Sequence, residues 1–365
     1  MVRRLLAGCV LLTPLPTLAG SLSVPGDFSK IRWAAQAAAA GDTILVACGT
    51  YEDFLIELKP GVVLRSADGH PDCVTIDGGD QETVLFGHNL DASTLIEGIT
   101  ITGGRPSNHG GGFYFRDSDV HIRDCVFEDN YSVNWGGGIA FQGTSSPTIE
   151  RCVFRNNEAL YGGGLYCEYG SPTVDHCLFE GNRSRFSGGG MAAWYPSSSP
   201  LITNCVFRNN ESTFLFGGGL FARASHPTVV SCTFTGNAAD EKGAAIHARA
   251  QARVTVKRSL IAFNVGTESV FCTEGGQVQL ACSNVYKNGE GNWTGCIQDQ
   301  AIGNGNFSED PLFCDADSGD LTLRADSPCA ADAASGCGLV GALDVGCGAI
   351  RVEVSSWGQV KAAYR

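Results

Sequence analysis

The sequence predicts an all-β fold, a single-stranded right-handed parallel β-helix with three short strands in each coil. A repeat carries this prediction, in which a Cys-x-Phe-x-x-Asn segment is followed by a run of glycines and then by an apolar strand. Strands of three to five residues are unstable alone, so each coil must stack in register on the next. Parallel crossovers are right-handed in nearly all cases, which sets the hand. The glycine runs start 26 to 29 residues apart, at Gly110, Gly136, Gly162, Gly188, Gly217 and, in a worn copy, Gly243.

The repeat also predicts which side chains fill the interior. Cys152 and Phe154 are two residues apart and therefore share one face of a strand, as do Leu165 and Cys167 after the glycines. In register, these positions form inward columns about 4.8 Å apart along the axis. One column is Phe127, Phe154, Phe179, Phe207 and Phe234, followed by Ile261, and another is Phe113, Ile139, Leu165, Met191, Leu220 and Ile246.

An asparagine ends each of the Phe-containing strands. Asparagine tolerates tight turns and can both donate to and accept from a stacked neighbour, so the column predicts an internal amide ladder rather than a set of ligands. The column is Asn130, Asn157, Asn182, Asn210, Asn237 and Asn264. Asn130, Asn182 and Asn210 also lie in Asn-x-Ser glycosylation sequons. If their side chains point inward, these sequons are accidental.

The sixteen cysteines fall into two sets. One is a column whose stacked Cβ atoms are slightly too far apart for ideal disulfides, so we interpret its members as buried free thiols. They are Cys125, Cys152, Cys177, Cys205 and Cys232, with Ser259 in the next place. No spacing typical of a metal site occurs, so no metal is expected. Cys48 and Cys73 could pair across one coil. The seven cysteines after residue 264 suit disulfides, in a connectivity left open and with one cysteine over.

The ends of the chain differ from its middle. Residues 1–19 read as a secretory signal, with Arg3 and Arg4 before an apolar stretch. Residues 6–9 also resemble a lipoprotein box, although the apolar run before Cys9 is short. The β-helix is expected over residues 27–347, with a helical cap at 27–41, regular repeats at about 94–264 and irregular cysteine-rich coils and a cap at 265–347. A basic and aromatic tail, residues 348–365, is predicted to be a short capping helix or a recognition tag.

Composition limits the partners. The formal net charge of −13 disfavours nucleic acid and anionic membrane surfaces. No stretch after the signal reaches the ~18 apolar residues of a membrane helix. We therefore expect a monomer that is secreted or associated with the cell surface.

Aromatic residues and arginines concentrate on the outward side of the third strand and in the turn before it. Such stripes mark binding surfaces, and flat rings suit the apolar faces of sugars. The alternative is that these rings only cover the glycine turns. The predicted substrate-binding residues are Tyr114, Trp135, Tyr161, Tyr166, Trp194, Phe216 and Phe221.

Catalytic groups are harder to place. Glycoside hydrolysis needs two carboxylates about 5–9.5 Å apart, and Glu168 lies a couple of coils from Asp117 and Asp119. A calcium-dependent lyase would need clustered carboxylates beside a base. The weak catalytic candidates are Arg116, Glu168, Arg223 and Arg249.

The motifs resemble known families. Residues 154–157 with 162–165 look like the repeat of chlamydial-type polymorphic outer-membrane proteins. From about residue 27, the chain resembles secreted bacterial right-handed β-helix proteins of the pectin-lyase-like superfamily, on residues 41–47, 98–104, 310–314 and 326–329. That superfamily includes polysaccharide lyases, hydrolases and adhesins. The chain lacks the adjacent-Asp and Arg-x-Lys motifs of polygalacturonases and the acidic calcium cluster of pectate lyases.

These observations lead to two functional hypotheses. The first is a non-catalytic, adhesin-like protein that binds polysaccharide or cell-surface glycans and needs no cofactor. The second is a polysaccharide-active enzyme, a lyase rather than a hydrolase, for which calcium would be the cofactor.

Overall fold

The computed structural model describes residues 19–266, 268–333 and 336–347, so the predicted tail and all but the last residue of the predicted signal lie outside the described residues. The described chain winds as a parallel β-helix, which confirms the predicted fold. Three long parallel sheets, here sheets 1, 2 and 3, run along it with eleven, ten and nine strands.

The strands are short and follow the chain from sheet 1 to sheet 2 to sheet 3 in each coil. Sheet 1 contains Ser21–Val24, Thr43–Val46, Val63–Ser66, Leu95–Glu97, His121–Arg123, Thr148–Glu150, Thr173–Asp175, Leu201–Thr203, Thr228–Val230, Arg253–Lys257 and Gln277–Ala281. Sheet 2 contains Gly49–Glu52, Val74–Asp77, Thr100–Thr102, Val126–Glu128, Val153–Arg155, Leu178–Glu180, Val206–Arg208, Thr233–Thr235, Leu260–Ala262 and Asn284–Tyr286. Sheet 3 contains Ile56–Leu58, Leu85–His88, Phe113–Arg116, Ile139–Gln142, Leu165–Glu168, Met191–Trp194, Leu220–Arg223, Ile246–Arg249 and Val270–Thr273.

A fourth, shorter parallel sheet was not predicted. Sheet 4 lies between the asparagine column and the glycine runs, a stretch whose polar and variable sequence shows no strand pattern. It forms because the coils on either side hold these segments next to each other. Its strands are Glu158–Tyr161, Arg183–Ser187, Glu211–Ser212, Ala238–Ala239 and Val265–Gly266.

The interior follows the predicted columns. Phe127 stacks on Phe154 with ring centroids 5.3 Å apart, and the column continues to Phe234 at spacings of 4.6 to 4.7 Å. Both predicted apolar columns are fully buried. The interior is therefore a stack of like residues, with one layer from each coil.

The asparagine ladder is confirmed and extends one coil further, to Asn288. Each side-chain amide donates to the carboxamide oxygen of the next coil, at 2.9 to 3.1 Å. The ladder is buried at 0 to 6% exposure. The sequons at Asn130, Asn182 and Asn210 are therefore accidental in the folded protein.

The five-cysteine column consists of free, buried thiols, as predicted. Four disulfides form elsewhere, namely Cys48–Cys73, Cys272–Cys296, Cys282–Cys337 and Cys314–Cys347. Of the seven cysteines after residue 264, Cys329 is the one that remains free.

The two ends are closed differently. A helix, Ile31–Ala37, buries Ile31, Ala34 and Ala35 and packs on the first strand of sheet 3. At the other end, a 3-10 helix, Gly295–Gln300, packs against the last strands of sheets 1 and 3. Among the described residues, no helix has the length and apolar character needed to cross a membrane.

The C-terminal segment also folds back along the outside of sheet 2, which the sequence did not reveal. It forms a three-stranded sheet of Phe313–Asp315, Asp320–Arg324 and Val345–Cys347. Leu321 of this sheet packs with Val126, Val153, Leu178 and Val206 of sheet 2. The outward side of sheet 2 is thus partly covered, whereas that of sheet 3 is not covered by this segment.

Candidate functional site

The outward side of sheet 3 is built from two layers of rings. Residues at one outward position of the strands align in register from Tyr114 to Phe271. The residue before each glycine run pairs with its counterpart in the next coil, as in the bridges from His109 to Trp135 to Tyr161 and from Ser187 to Phe216 to Lys242. The turn residues form a second layer above the strand residues.

This arrangement requires glycine in the turn. The first glycine of each run has positive φ, for example 63° at Gly162. A Cβ at Gly162 would lie 2.4 Å from the carbonyl oxygen of Leu165. Only glycine permits so tight a turn, which brings the preceding ring over the strand.

The middle of the lower layer is buried, which corrects part of the sequence analysis. Tyr166 and Phe221 point away from the β-helix interior, as predicted, but they are only 1% and 2% exposed. They form a cluster with Ala140 and Ala192, against which the turn rings pack. A substrate therefore does not reach Tyr166 or Phe221 in this structure, because pointing outward on a strand does not ensure contact with solvent.

The turn rings remain partly exposed, as do two strand residues, Tyr114 of the lower layer and Trp194 at the other outward position. We use the term aromatic face for Tyr114, Trp135, Tyr161, Trp194 and Phe216, all of which are half-buried. Tyr161 meets Trp194 edge to face, with centroids 4.8 Å apart. Trp135 stacks on the buried Tyr166 at 5.7 Å. The buried layer thus holds the aromatic face in place.

Polar groups border this face. The Tyr114 hydroxyl donates to the Gln142 side-chain oxygen at 2.8 Å, and the Gln142 amide donates to the carboxylate of Glu168. The Trp194 indole Nε1 is buried and has no hydrogen-bond partner among the described residues. The border therefore contains both satisfied and unsatisfied donors.

Basic residues lie at one end. The guanidinium of Arg223 sits over the Trp194 ring, 5.0 Å from the ring centroid. Its neighbour in the next coil, Arg249, is paired with Glu274 at 2.6 Å. Within the described part of the chain, Arg223 forms no salt bridge, so its charge is available to a ligand.

The weak catalytic candidates do not converge. Arg116 pairs with Asp117 at 3.3 Å, and Glu168 is held by Gln142. The Asp117 carboxylate also accepts from the Thr144 backbone N–H at 3.1 Å, so it stabilises the turn of the following coil. Of the four candidates, Arg223 and Arg249 are adjacent, and the structure gives Arg116 and Glu168 other partners.

Sequence reasoning missed two features. His247 follows Phe221 in the outward column of sheet 3 and is fully buried among Phe216, Phe221 and Phe271. Burial, and then the nearby charge of Arg249, lowers its pKa to about 3. The imidazole is therefore neutral at ordinary pH.

Tyr169 and Tyr195 form a stacked pair that extends the aromatic surface. Their ring centroids are 4.2 Å apart, and Tyr169 is 43% exposed. Each tyrosine directly follows a strand of sheet 3, at the same position of two adjacent coils. This shared position in the repeat is the sequence signal that could have identified the pair.

Among the described residues, one group of potential metal-ligating atoms comes together. Atoms of Cys48, Asp68 and Cys73 lie within 4.8 Å of one another. The two cysteines form a disulfide, and in that state they are not thiolate ligands.

Comparisons with known proteins agree with the fold. A family profile described as the right handed beta helix region matches residues 59–199. A second profile, the Chlamydia polymorphic membrane protein repeat, matches residues 231–249. No curated protein sequence matches the chain.

Solved structures include similar β-helices. The crystal structure of pectate lyase Pel9A aligns over 90% of this chain and 97% of its own, with a TM-score of 0.54 and 12% identity. A 1,3-alpha-1,4-beta-D-galactose-4-sulfate-3,6-anhydro-D-galactose-2-sulfate 4 galactohydrolase gives a TM-score of 0.34 and 14% identity, over 68% of this chain and 72% of its own. A mutant of the PL6 family alginate lyase AlyGC gives a TM-score of 0.33 and 14% identity, over 84% of this chain and 55% of its own. At these identities the likeness to Pel9A shows the fold alone.

The stacked coils, the matching profiles and this likeness define the class. The chain has the right-handed parallel β-helix fold, and residues 231–249 match the polymorphic membrane protein repeat.

Proposed function

We propose that this protein acts outside the cytoplasm as a non-catalytic binder of polysaccharide chains or cell-surface glycans. The aromatic face, which the buried Tyr166 and Phe221 hold in place, is the observation that carries the proposal. Its rings belong to successive coils, so an extended chain can lie along them. Half-buried rings in a fixed arrangement lose little conformational entropy on binding a sugar.

The border of the face supplies polar contacts. Arg223 offers a guanidinium without a carboxylate partner among the described residues, directly over Trp194. The Trp194 Nε1 has no hydrogen-bond partner in the described part of the chain, and a small rotation of the indole would present it to a sugar hydroxyl. The combination of flat rings and orienting donors is typical of saccharide recognition.

A polysaccharide lyase is the second candidate, favoured by the adjacency of Arg223 and Arg249 beside Glu274. Arg223 would be the base that removes a proton. The binder is preferred because Glu168, Asp117 and Arg249 are engaged in structural contacts.

The test is a glycan array followed by affinity electrophoresis against the polysaccharides that bind. Trp194→Ala should weaken binding at least tenfold, which corresponds to about 1.4 kcal/mol. The matched control is Trp33→Ala, because Trp33 is 49% exposed on the N-terminal helix and is not part of the aromatic face. Wild-type affinity in both variants, or an equal loss in both, would contradict the proposal.

Release of unsaturated products is measured in parallel on the same polysaccharides, with and without calcium. Product formation that disappears in Arg223→Ala would favour the lyase. Binding without product formation would favour the non-catalytic protein.

A further inference from the structure

We infer that the five stacked free cysteines are a site of oxidative modification, at which neighbouring coils become covalently joined by disulfides. These residues, here the thiol column, are Cys125, Cys152, Cys177, Cys205 and Cys232. This inference is independent of glycan binding, because the thiol column lies at the corner between sheets 1 and 2.

Neighbouring cysteines of the column are in contact through a backbone N–H and a sulfur, from Cys152 to Cys232. The residues that follow the cysteines pair in register in sheet 2. The backbone N–H of Cys152 points at the Cys177 sulfur at 3.4 Å, and the same contact recurs from Cys177 to Cys205. The contact recurs once more from Cys205 to Cys232, at 3.5 Å.

A disulfide between adjacent coils occurs in the same molecule. Cys48 and Cys73 precede the paired residues Gly49 and Val74 of sheet 2 and are bonded at a Cα–Cα distance of 4.6 Å. Coils stack about 4.8 Å apart, which lies inside the 4.4–6.8 Å range of disulfide-bonded Cα atoms. This disulfide lies one register position before the thiol column, since Thr75, Thr100 and Val126 align in sheet 2. The stacked Cβ atoms of the column must move closer together to form such a bond, which local opening of a coil allows.

Burial explains why the column is reduced here. Each member is 0 to 1% exposed. Burial also raises the pKa of the Cys125 and Cys205 thiols well above the ordinary value. Attack requires the thiolate, so oxidation proceeds when a coil opens locally.

The chemistry balances with a small-molecule disulfide as oxidant. One column thiolate attacks the reagent and forms a mixed disulfide, releasing a reagent thiol. The neighbouring column thiolate then attacks the mixed disulfide, which releases the second reagent thiol and leaves the column disulfide. The two column protons leave with the two reagent thiols. Five thiols in a row form at most two such bonds.

The experiment treats the folded protein with hydroxyethyl disulfide, then alkylates the remaining thiols under denaturing conditions and maps the peptides by mass spectrometry. In the wild type, four column cysteines should resist alkylation, as two bonds between neighbours. Cys167 and Cys329 should still be alkylated, because they lie outside the thiol column: Cys167 is on sheet 3, and Cys329 contacts Asn284.

Two serine variants sharpen the result. Cys177→Ser leaves the adjacent pairs Cys125–Cys152 and Cys205–Cys232, so both disulfides should form. The double variant C152S/C205S leaves only separated thiols, so none should form. Serine fits this column, since the Ser259 hydroxyl accepts the Cys232 N–H at 3.1 Å.

Oxidation should raise the urea midpoint of the wild type and of Cys177→Ser, but not that of C152S/C205S. The inference is overturned if the folded wild type keeps all five column thiols alkylatable, or if bonds join non-neighbouring cysteines.

Discussion

Replacing one rung of the asparagine ladder tests the packing argument most directly. The Asn182 side-chain oxygen accepts from the backbone N–H of Asn157 at 3.1 Å and from its amide at 3.0 Å. The Asn182 amide donates to the Phe154 carbonyl at 2.8 Å and to the Asn210 side-chain oxygen at 3.0 Å. Asn182→Ala removes all four bonds at a fully buried site.

The cost follows from what remains unpaired. The Asn157 side-chain amide keeps the Phe127 carbonyl, and the Asn210 oxygen keeps the Asn182 N–H. The buried Asn157 backbone N–H loses the partner that it has in the ladder. An unsatisfied buried group costs about 1–3 kcal/mol, and the lost bonds and volume bring the expected loss of unfolding free energy to roughly 3 kcal/mol.

The assay is urea unfolding followed by circular dichroism, with hydrogen exchange of the Asn157 amide as a local readout. Stacked coils unfold in parts, so the free energies are compared only if the slope with urea is unchanged. Asn134→Ala is the control, because the hydrogen bond from the Asn134 side-chain amide to Asn108 is exposed. This substitution should lower the free energy of unfolding by less than about 0.5 kcal/mol. A similarly small loss for Asn182→Ala would refute the view that the ladder stabilises the coils.

Two further predictions concern the glycine turns and the buried histidine. Gly163→Ala should cost more than about 3 kcal/mol in urea unfolding, because its Cβ would lie 2.5 Å from the Arg183 carbonyl oxygen, which cannot move away. Gly69→Ala, with φ of 79° and open space around it, should cost only about 1–2 kcal/mol, and equal losses would contradict the steric argument. His247 has a folded pKa of about 3, below its unfolded value near 6.5. The unfolded state therefore binds the proton first, and stability should fall by about 4–5 kcal/mol as pH drops from 6.5 to 3. In His247→Phe this contribution should vanish, and parallel pH profiles of the two proteins would show that His247 is not the group responsible.

Much of the fold could be predicted because the repeat acts through stacking. Phe154 and Cys152 share a face by their two-residue spacing, and register then extends that assignment to every coil. Like residues meet like residues, which explains why the phenylalanine stack, the amide ladder and the free thiols are as predicted. The positive φ of Gly162 follows from the same pattern.

The candidate site could be predicted only in part. The residues of the sheet 3 surface were identified from alternation, and Trp135, Tyr161 and Trp194 do lie at its partly exposed surface. Alternation gives the direction of a side chain but not what covers it. The burial of Tyr166 depends on how far the glycine turn carries Trp135 over the strand.

The sequence by itself determined the class of fold, the columns of the interior and the position of the irregular outward residues, because these depend on local period and on contacts between equivalent positions. Only the tertiary structure decided the disulfide partners, the docking of Leu321 on sheet 2 and the pairing of Ala238–Ala239 in sheet 4. These depend on distances between segments that no repeat relates, or on neighbours that impose a strand where the local sequence does not favour one.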